Sequence, residues 1–385
     1  MGRLSVKGAA RRARRAALWA GGSPVYSGHV ATFDAVPGVG AVDSPINRTL
    51  TSASSIRTLH TRDERLEAMY EPERRRSEYR ARVATVPDGR LVTDSGVVVT
   101  PEGDLVLETL WDEYHLGRNF ARPPRLRKPT PIPGTVASLV SLWSGTYYHW
   151  MLEGLPRLAV LEAAGHMDVR VVVAEQLTRF QRQSLEIAGV GEERLVPFVN
   201  EHISADVLVW AAAPAFSGNP TPFTVDWLRT RMRGSSPRRH RRLYVSRADN
   251  RRVANEDALV AMLEPYGFET VRPETLSLRE QVQLFAAAEA VVAAHGAGLT
   301  NIVFSDHLAL LELFPPGYVP PHYYALSCAA GHDYWYLVGQ PLGGELGPKS
   351  SDFAVSLDLV KASVEAMLAG LQRGLVHGRS KSNVE

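Results

Sequence analysis

From residue 242 to residue 314 the chain alternates β-rich runs with amphipathic stretches, and this alternation most limits the folds open to it. Strands are expected at 242–245, 268–271, 290–294 and 308–314, with helices at 256–265, 278–288 and from 299 onward. Repeated strand, crossover helix and strand units close as a parallel, doubly wound sheet. Local chemistry agrees. Asn255 stands as an N-cap before Glu256 and Asp257, and Ser277-Leu278-Arg279-Glu280 has the spacing of a capping box. Each would satisfy helix N–H groups that otherwise lack partners.

A second α/β stretch precedes it. Residues 137–213 give a helix containing Tyr148 to Glu153, a strand at 169–174, a helix at 177–188, and strands near 195–199 and 207–210. Upstream, two β-rich runs flank Pro101-Glu102-Gly103-Asp104, a hairpin signal, and the proline-rich 122–133 reads as an extended loop. The arginine-rich stretch 231–242 is a composition shift and the natural linker. The expected organisation is a basic tail and lead-in at 1–40 and an N-terminal α/β domain at 41–232, including a charged connector at 57–82. A C-terminal Rossmann-like domain follows at 233–350. At 351–385 a helix would cross back to the first domain and end in a flexible tail.

With 385 residues and 45% hydrophobic content there is enough chain for two buried cores. The formal charge is +2, and six of the basic residues (Arg3, Lys7, Arg11, Arg12, Arg14, Arg15) open the chain without an acid among them. The rest therefore carries about −4, which argues against a nucleic-acid-binding core. The basic start reads either as a solubilising tail or as a weak contact to an anionic membrane surface. The one cysteine, Cys328, permits no internal disulfide, and no Cys/His spacing resembles a zinc site. The apolar run 16–20 is shorter than a secretory h-region of roughly 7–15 residues, and no stretch reaches the ~20 apolar residues that span a bilayer. A cytoplasmic protein, at most peripheral to the inner face of a membrane, is expected.

Within the parallel half, residues 289–301 read as a buried strand that breaks at His295-Gly296-Ala297-Gly298 and re-enters a helix through Leu299, Thr300 and Asn301. Glycines there permit close backbone approach, and a helix N-terminus carries about half a positive charge. A diphosphate-linked ligand is the first expectation; a plain tight turn is the other. Ser246 and Arg247 end the strand at 242–245 with a hydroxyl and a fork of donors suited to phosphate oxygens, or Arg247 is a surface arginine of a basic loop. Glu312 is a lone carboxylate in an apolar strand. It is expected either to accept from ribose hydroxyls or to pair internally with an arginine such as Arg247, because an unpaired buried carboxylate costs several kcal/mol.

In the first half, His149, Glu153 and Arg157 recur at a spacing of four, on one helical face. They could present a general base oriented by a carboxylate, or form an ion-pair ladder on a helix kinked at Pro156. Tyr147, Tyr148, Trp143 and Trp150 could stack on a sugar face, or pack into the core.

Five segments in order (147–158, 244–247, 273–282, 295–301 and 311–315) together resemble glycosyltransferase family 61, over about residues 92–314. The family includes plant xylosyl- and arabinosyltransferases, animal O-linked N-acetylglucosaminyltransferases and bacterial members linked to surface polysaccharide. The resemblance implies a GT-B architecture, two Rossmann-like domains facing a central cleft. It also implies inverting transfer from a nucleotide-sugar, usually UDP-linked, to a glycan or small-molecule hydroxyl. On this resemblance residues 295–301 and Ser246 hold the donor, Arg247 neutralises the leaving phosphate and Glu312 faces the ribose. His149 or Glu153 is the base, with Tyr148, Trp150 and Arg157 bordering the acceptor. A histidine near its ordinary pKa of roughly 6.5 suits proton removal at neutral pH. The chain has no Asp-x-Asp triplet, so no cofactor or divalent metal is expected. Without the anchor and disulfides of secreted relatives, and rich in arginine and alanine, it reads as a bacterial cytoplasmic enzyme. Two rivals stand beside this reading: a nucleotide-sugar epimerase of the same shape, and a non-catalytic nucleotide-sugar or polysaccharide binder.

Overall fold

The computed structural model describes residues 81–110, 125–214, 217–235, 237–343 and 351–381, with short strand pieces at 23–24, 30–32 and 40–43. Most of the basic lead-in, nearly all of the charged connector at 57–82 and the tail after 381 lie outside the described residues. The protein is a mixed α/β chain that divides after Pro214 into two compact units. No helix among the described residues is long and apolar enough to cross a membrane.

The first unit is built on one mixed sheet. Besides the short pieces Val30–Ala31 and Gly40–Asp43 at its edges, its strands are β1 (Arg82–Pro87), β2 (Arg90–Val92), β3 (Val97–Val99), β4 (Leu105–Val106), β5 (Thr130–Ser138), β6 (Arg170–Ala174), β7 (Leu195–Phe198) and β8 (His202–Ala211). β7, β6, β5 and β8 run parallel in that spatial order. β8 then takes β1 antiparallel along its second half and β2 along its first. The hairpin around residues 101–104 forms, with Val99 opposite Leu105. So the first unit is doubly wound only in part; the rest is an antiparallel meander. Two expectations are corrected here. Residues 130–138 are a strand rather than loop and helix start, and β8 is longer than 207–210. Pro131 and Pro133 are tolerated because β6 pairs only with Val136, Ala137 and Ser138, leaving the proline portion a neighbour on one side alone. Leu91, Val98, Val136, Val172, Phe198, Ile203 and Leu208 fill its core.

Five parallel strands form the second unit: β9 (Arg241–Val245), β10 (Phe268–Val271), β11 (Ala288–Ala294), β12 (Ala309–Phe314) and β13 (Asp333–Val338). Their spatial order is β10-β9-β11-β12-β13. Because β10 lies on one side of β9 and β11 on the other, the winding reverses between β9 and β11. Open parallel sheets take ligands at such a switch point, outside the carboxyl ends of the strands. The capping box at Ser277 forms as expected, with Glu280 N donating to the hydroxyl and Ser277 N donating to the carboxylate. Asn255 does not cap. Its amide donates to Val355 O at 2.9 Å and accepts from Val355 N at 3.0 Å, tying the start of one helix to a segment 100 residues away.

That segment leads into the last helix, Leu357–Lys381. It was expected to cross back over the first domain. Instead Val360, Val364, Met367 and Leu368 bury against Leu259, Leu311, Leu313 and Leu337 of the second unit itself. The second unit also starts earlier than the arginine-rich linker implies. Arg229, expected in the first domain, donates to Val303 O, and Arg233 close behind it donates to Phe304 O, so this segment belongs to the second core.

Candidate functional site

At the switch point, β9 ends in Ser246 and Arg247, and β11 ends in His295 and Gly296. The backbone N–H of His295 donates to Leu313 O at 2.9 Å, extending the parallel register by one residue. The chain then turns through Gly296 into the expected helix, which begins two residues earlier than Leu299 and is a 3-10 helix at Ala297–Phe304. Gly296 is extended, so backbone strain does not require glycine here. Space does: a Cβ on Gly296 would occupy the position of the Arg247 guanidinium, and one on Gly298 would press on Val245 and Pro273. The first glycine is the floor on which Arg247 rests.

Of the expected donor loop, only Ala297 and Gly298 reach the surface; Leu299, Thr300 and Asn301 are buried. Asn301 donates to Gln281 Oε1 at 2.9 Å and to Gly298 O at 3.1 Å. It shapes the loop from inside and offers nothing to a ligand. Residues 299–301 are thus corrected from contacts to supports.

Glu312 is corrected as well. It is fully buried, with Oε1 2.6 Å from His295 Nδ1 and Oε2 accepting from the Tyr334 hydroxyl at 2.7 Å. Both oxygens are engaged, so no ribose can be held there, and its partner is a histidine rather than an arginine. Burial raises the Glu312 carboxyl well above its usual range. Burial, then the charges of Arg251 and Arg247, lower the His295 imidazole to about 3. The consistent arrangement is a protonated carboxyl donating to a neutral imidazole. His295 is packed between the rings of Phe314, Tyr318 and Tyr323, with centroids 5.3–5.4 Å away.

The outward face is cationic. Arg247 Nε donates to Asn250 O at 3.0 Å and Nη2 to Asn250 Oδ1 at 3.3 Å. Its pKa is lowered by burial and by the like charge of Arg251. Among the described residues no carboxylate forms an ion pair with it. Ser246 is buried, and its hydroxyl has no hydrogen-bond partner among them. Arg251 was not singled out from sequence; it sits with its guanidinium over the Tyr318 ring at 5.3 Å. The cluster of arginines at 247, 251 and 252 was the available signal.

In the first unit, the helix expected through Glu153 is an α-turn at Tyr147–His149, a π-turn at Trp150–Gly154 and, after Pro156, an α-helix at Arg157–Ala163. Leu155 N reaches back five residues to Trp150 O at 2.8 Å, and such widened turns recur at functional sites. The pairing predicted at a spacing of four does form, His149 Nδ1 to Glu153 Oε2 at 2.9 Å. Trp143 lies over the His149 ring at 6.1 Å and Tyr148 meets it edge-on at 5.3 Å. Trp150 is corrected from an acceptor contact to core: it is buried and donates to Ser184 Oγ at 2.7 Å. Tyr148 and Arg157 are also buried. Trp143, by contrast, is 39% exposed.

The sequence profile of the family described as Glycosyltransferase 61 matches residues 147–310. The span runs from the turn carrying His149 to the middle of β12, and takes in the Arg247 and His295 loops. No curated protein matches the chain.

Proposed function

We propose that this chain, a glycosyltransferase whose residues 147–310 match the family described as Glycosyltransferase 61, moves a sugar from a nucleotide-activated donor to an acceptor hydroxyl in one displacement that inverts the anomeric carbon. Family membership implies a nucleotide-sugar donor and a glycan or small-molecule acceptor; a UDP-linked donor is the specific proposal. The two α/β units would be the facing pair of a GT-B enzyme, with the donor held by the second.

The observation that carries this reading is the Arg247 guanidinium seated on Gly296 at the switch point, with no carboxylate in ion-pair contact among the described residues. A leaving diphosphate develops negative charge as the glycosidic bond breaks, and a preoriented guanidinium beside loop N–H groups stabilises that charge. The Ser246 hydroxyl supplies one further donor at the same strand end. On the acceptor side, Glu153 holds His149 by Nδ1, which fixes the ring so that Nε2 can take the proton of the attacking hydroxyl. In this reading Glu312 and His295 support the loop and take no part in the chemistry. The enzyme would work in the cytoplasm, where nucleotide sugars are made.

Two measurements test the proposal. In a thermal-shift series with UDP, GDP, CDP and dTDP sugars, a donor present at about 100 times its Kd stabilises the fold by about 2.7 kcal/mol. If none of them raises the melting temperature, the donor site is misassigned. With the donor known, the anomeric configuration of the product is read by NMR. Retention would rule out single displacement, and an altered sugar formed without acceptor or free nucleotide would establish an epimerase.

A further inference from the structure

Arg251 follows Arg247 by four residues, yet it is not a spare surface charge. Its backbone has φ of +62°, a left-handed conformation that a long side chain seldom adopts, and the turn this makes carries the guanidinium over the Tyr318 ring. There its charge is felt by His295, Glu312, Tyr323 and Arg247. Its Nε is buried and has no hydrogen-bond partner, and no carboxylate forms an ion pair with it among the described residues. The next residue shows the contrast. Arg252 donates through Nε and Nη2 to Asp352 at 2.9 and 2.7 Å, so its charge is satisfied inside the protein.

Two guanidiniums near enough for one to lower the pKa of the other repel each other, and a buried donor left unpaired is unfavourable. An anion relieves both. The Ser246 hydroxyl, also buried and without a partner among the described residues, ends the same strand as Arg247, whose guanidinium lies against Gly296.

We propose that Arg251 is a second anion-binding residue of this site, acting with Arg247 so that the site prefers a diphosphate to a single phosphate. The proposal rests on the donor-site reading above and adds the residue that reads the second phosphate. One guanidinium is enough to hold a monophosphate; the second gains its partner only from the longer anion.

The test is calorimetric titration of the full chain with inorganic pyrophosphate and, separately, inorganic phosphate, in the wild type and in Arg251→Asn, Arg251→Lys and Arg247→Gln. Asparagine tolerates the left-handed backbone, so Arg251→Asn should melt no lower than the wild type in the absence of ligand. It should bind pyrophosphate about 10- to 100-fold more weakly, the effect of one charge-assisted bond, and phosphate almost unchanged. Arg251→Lys, which keeps the charge and loses the fork, should lose less. Arg247→Gln should weaken both anions. If both Arg251 variants bind pyrophosphate as the wild type does while Arg247→Gln does not, the role of Arg251 is overturned and the donor site stands. If the wild type binds neither anion, both fall.

Discussion

Glu312 Oε1 lies 2.6 Å from His295 Nδ1 in complete burial, and the Tyr334 hydroxyl closes the other oxygen at 2.7 Å. The pair ties the end of β11 to β12 beneath the glycine loop. If the carboxyl is protonated, glutamine reproduces it, since its amide can donate to Nδ1 and its carbonyl can accept from Tyr334. Glu312→Gln should therefore stay within about 1 kcal/mol of the wild type at pH 5. Glu312→Ala, which strands both partners, should lose about 2–5 kcal/mol. Urea unfolding of the three proteins checks this, and equal losses in the two variants would contradict the protonated form.

The same pair sets a pH dependence. His295 falls from 6.5 to about 3 on folding, so its contribution is intact above pH 6.5 and is lost as the pH drops toward 3. Glu312 rises well above 4.5, so its contribution is intact below pH 4.5 and is lost as the pH climbs. Between pH 4.5 and 6.5 the folded pair holds one proton and the unfolded pair also holds one, and the two slopes cancel. The pair's contribution should be flat in that window and fall on either side by about 1.4 kcal/mol per pH unit. Glu312→Gln removes the alkaline arm alone. Relative to the wild type it should gain stability steadily as pH rises above 4.5, read from unfolding free energies at several pH values.

How far these features could be read from sequence depends on their range along the chain. The strands of the second unit were legible because alternation and capping are local, as the capping box from Ser277 to Glu280 shows. The pairing of His149 with Glu153 was legible for the same reason, one helical turn. β5 was missed because Pro131 and Pro133 look like loop until the one-sided pairing with β8 is known. β13 was missed although its run of Tyr334, Trp335 and Tyr336 favours a strand. Asn255 looked like a cap, but its partner Val355 is 100 residues away. Glu312 was recognised as needing a partner, and only the register that sets Ala293 beside Glu312 brings His295 to it. Arg251 depends on a left-handed turn that its own sequence does not announce.

Gly296 should separate binding from folding. Its backbone is extended, so alanine is conformationally acceptable there, and the obstacle to a Cβ is the far end of the Arg247 side chain. Arg247 can swing away at little cost to the fold, but it then leaves the loop. Gly296→Ala should melt within a few degrees of the wild type, while affinity for the donor nucleotide drops by about 10-fold or more, the loss of one charge-assisted contact. Thermal unfolding and nucleotide titration on the same preparation decide it. A variant that binds as the wild type does would remove Arg247 from the donor site.

His149 and Glu153 should show the opposite split. They belong to the first unit, while the proposed donor loop belongs to the second, so nucleotide affinity should survive their loss. With His149→Ala the proton of the acceptor hydroxyl has no base, and turnover should fall about 10²- to 10⁴-fold. Glu153→Gln keeps a hydrogen-bond partner near Nδ1 and with it part of the ring's orientation, so it should lose less than His149→Ala. Measuring kcat against pH beside the Kd for the nucleotide separates these effects. If His149→Ala turns over within about fivefold of the wild type, the base lies elsewhere.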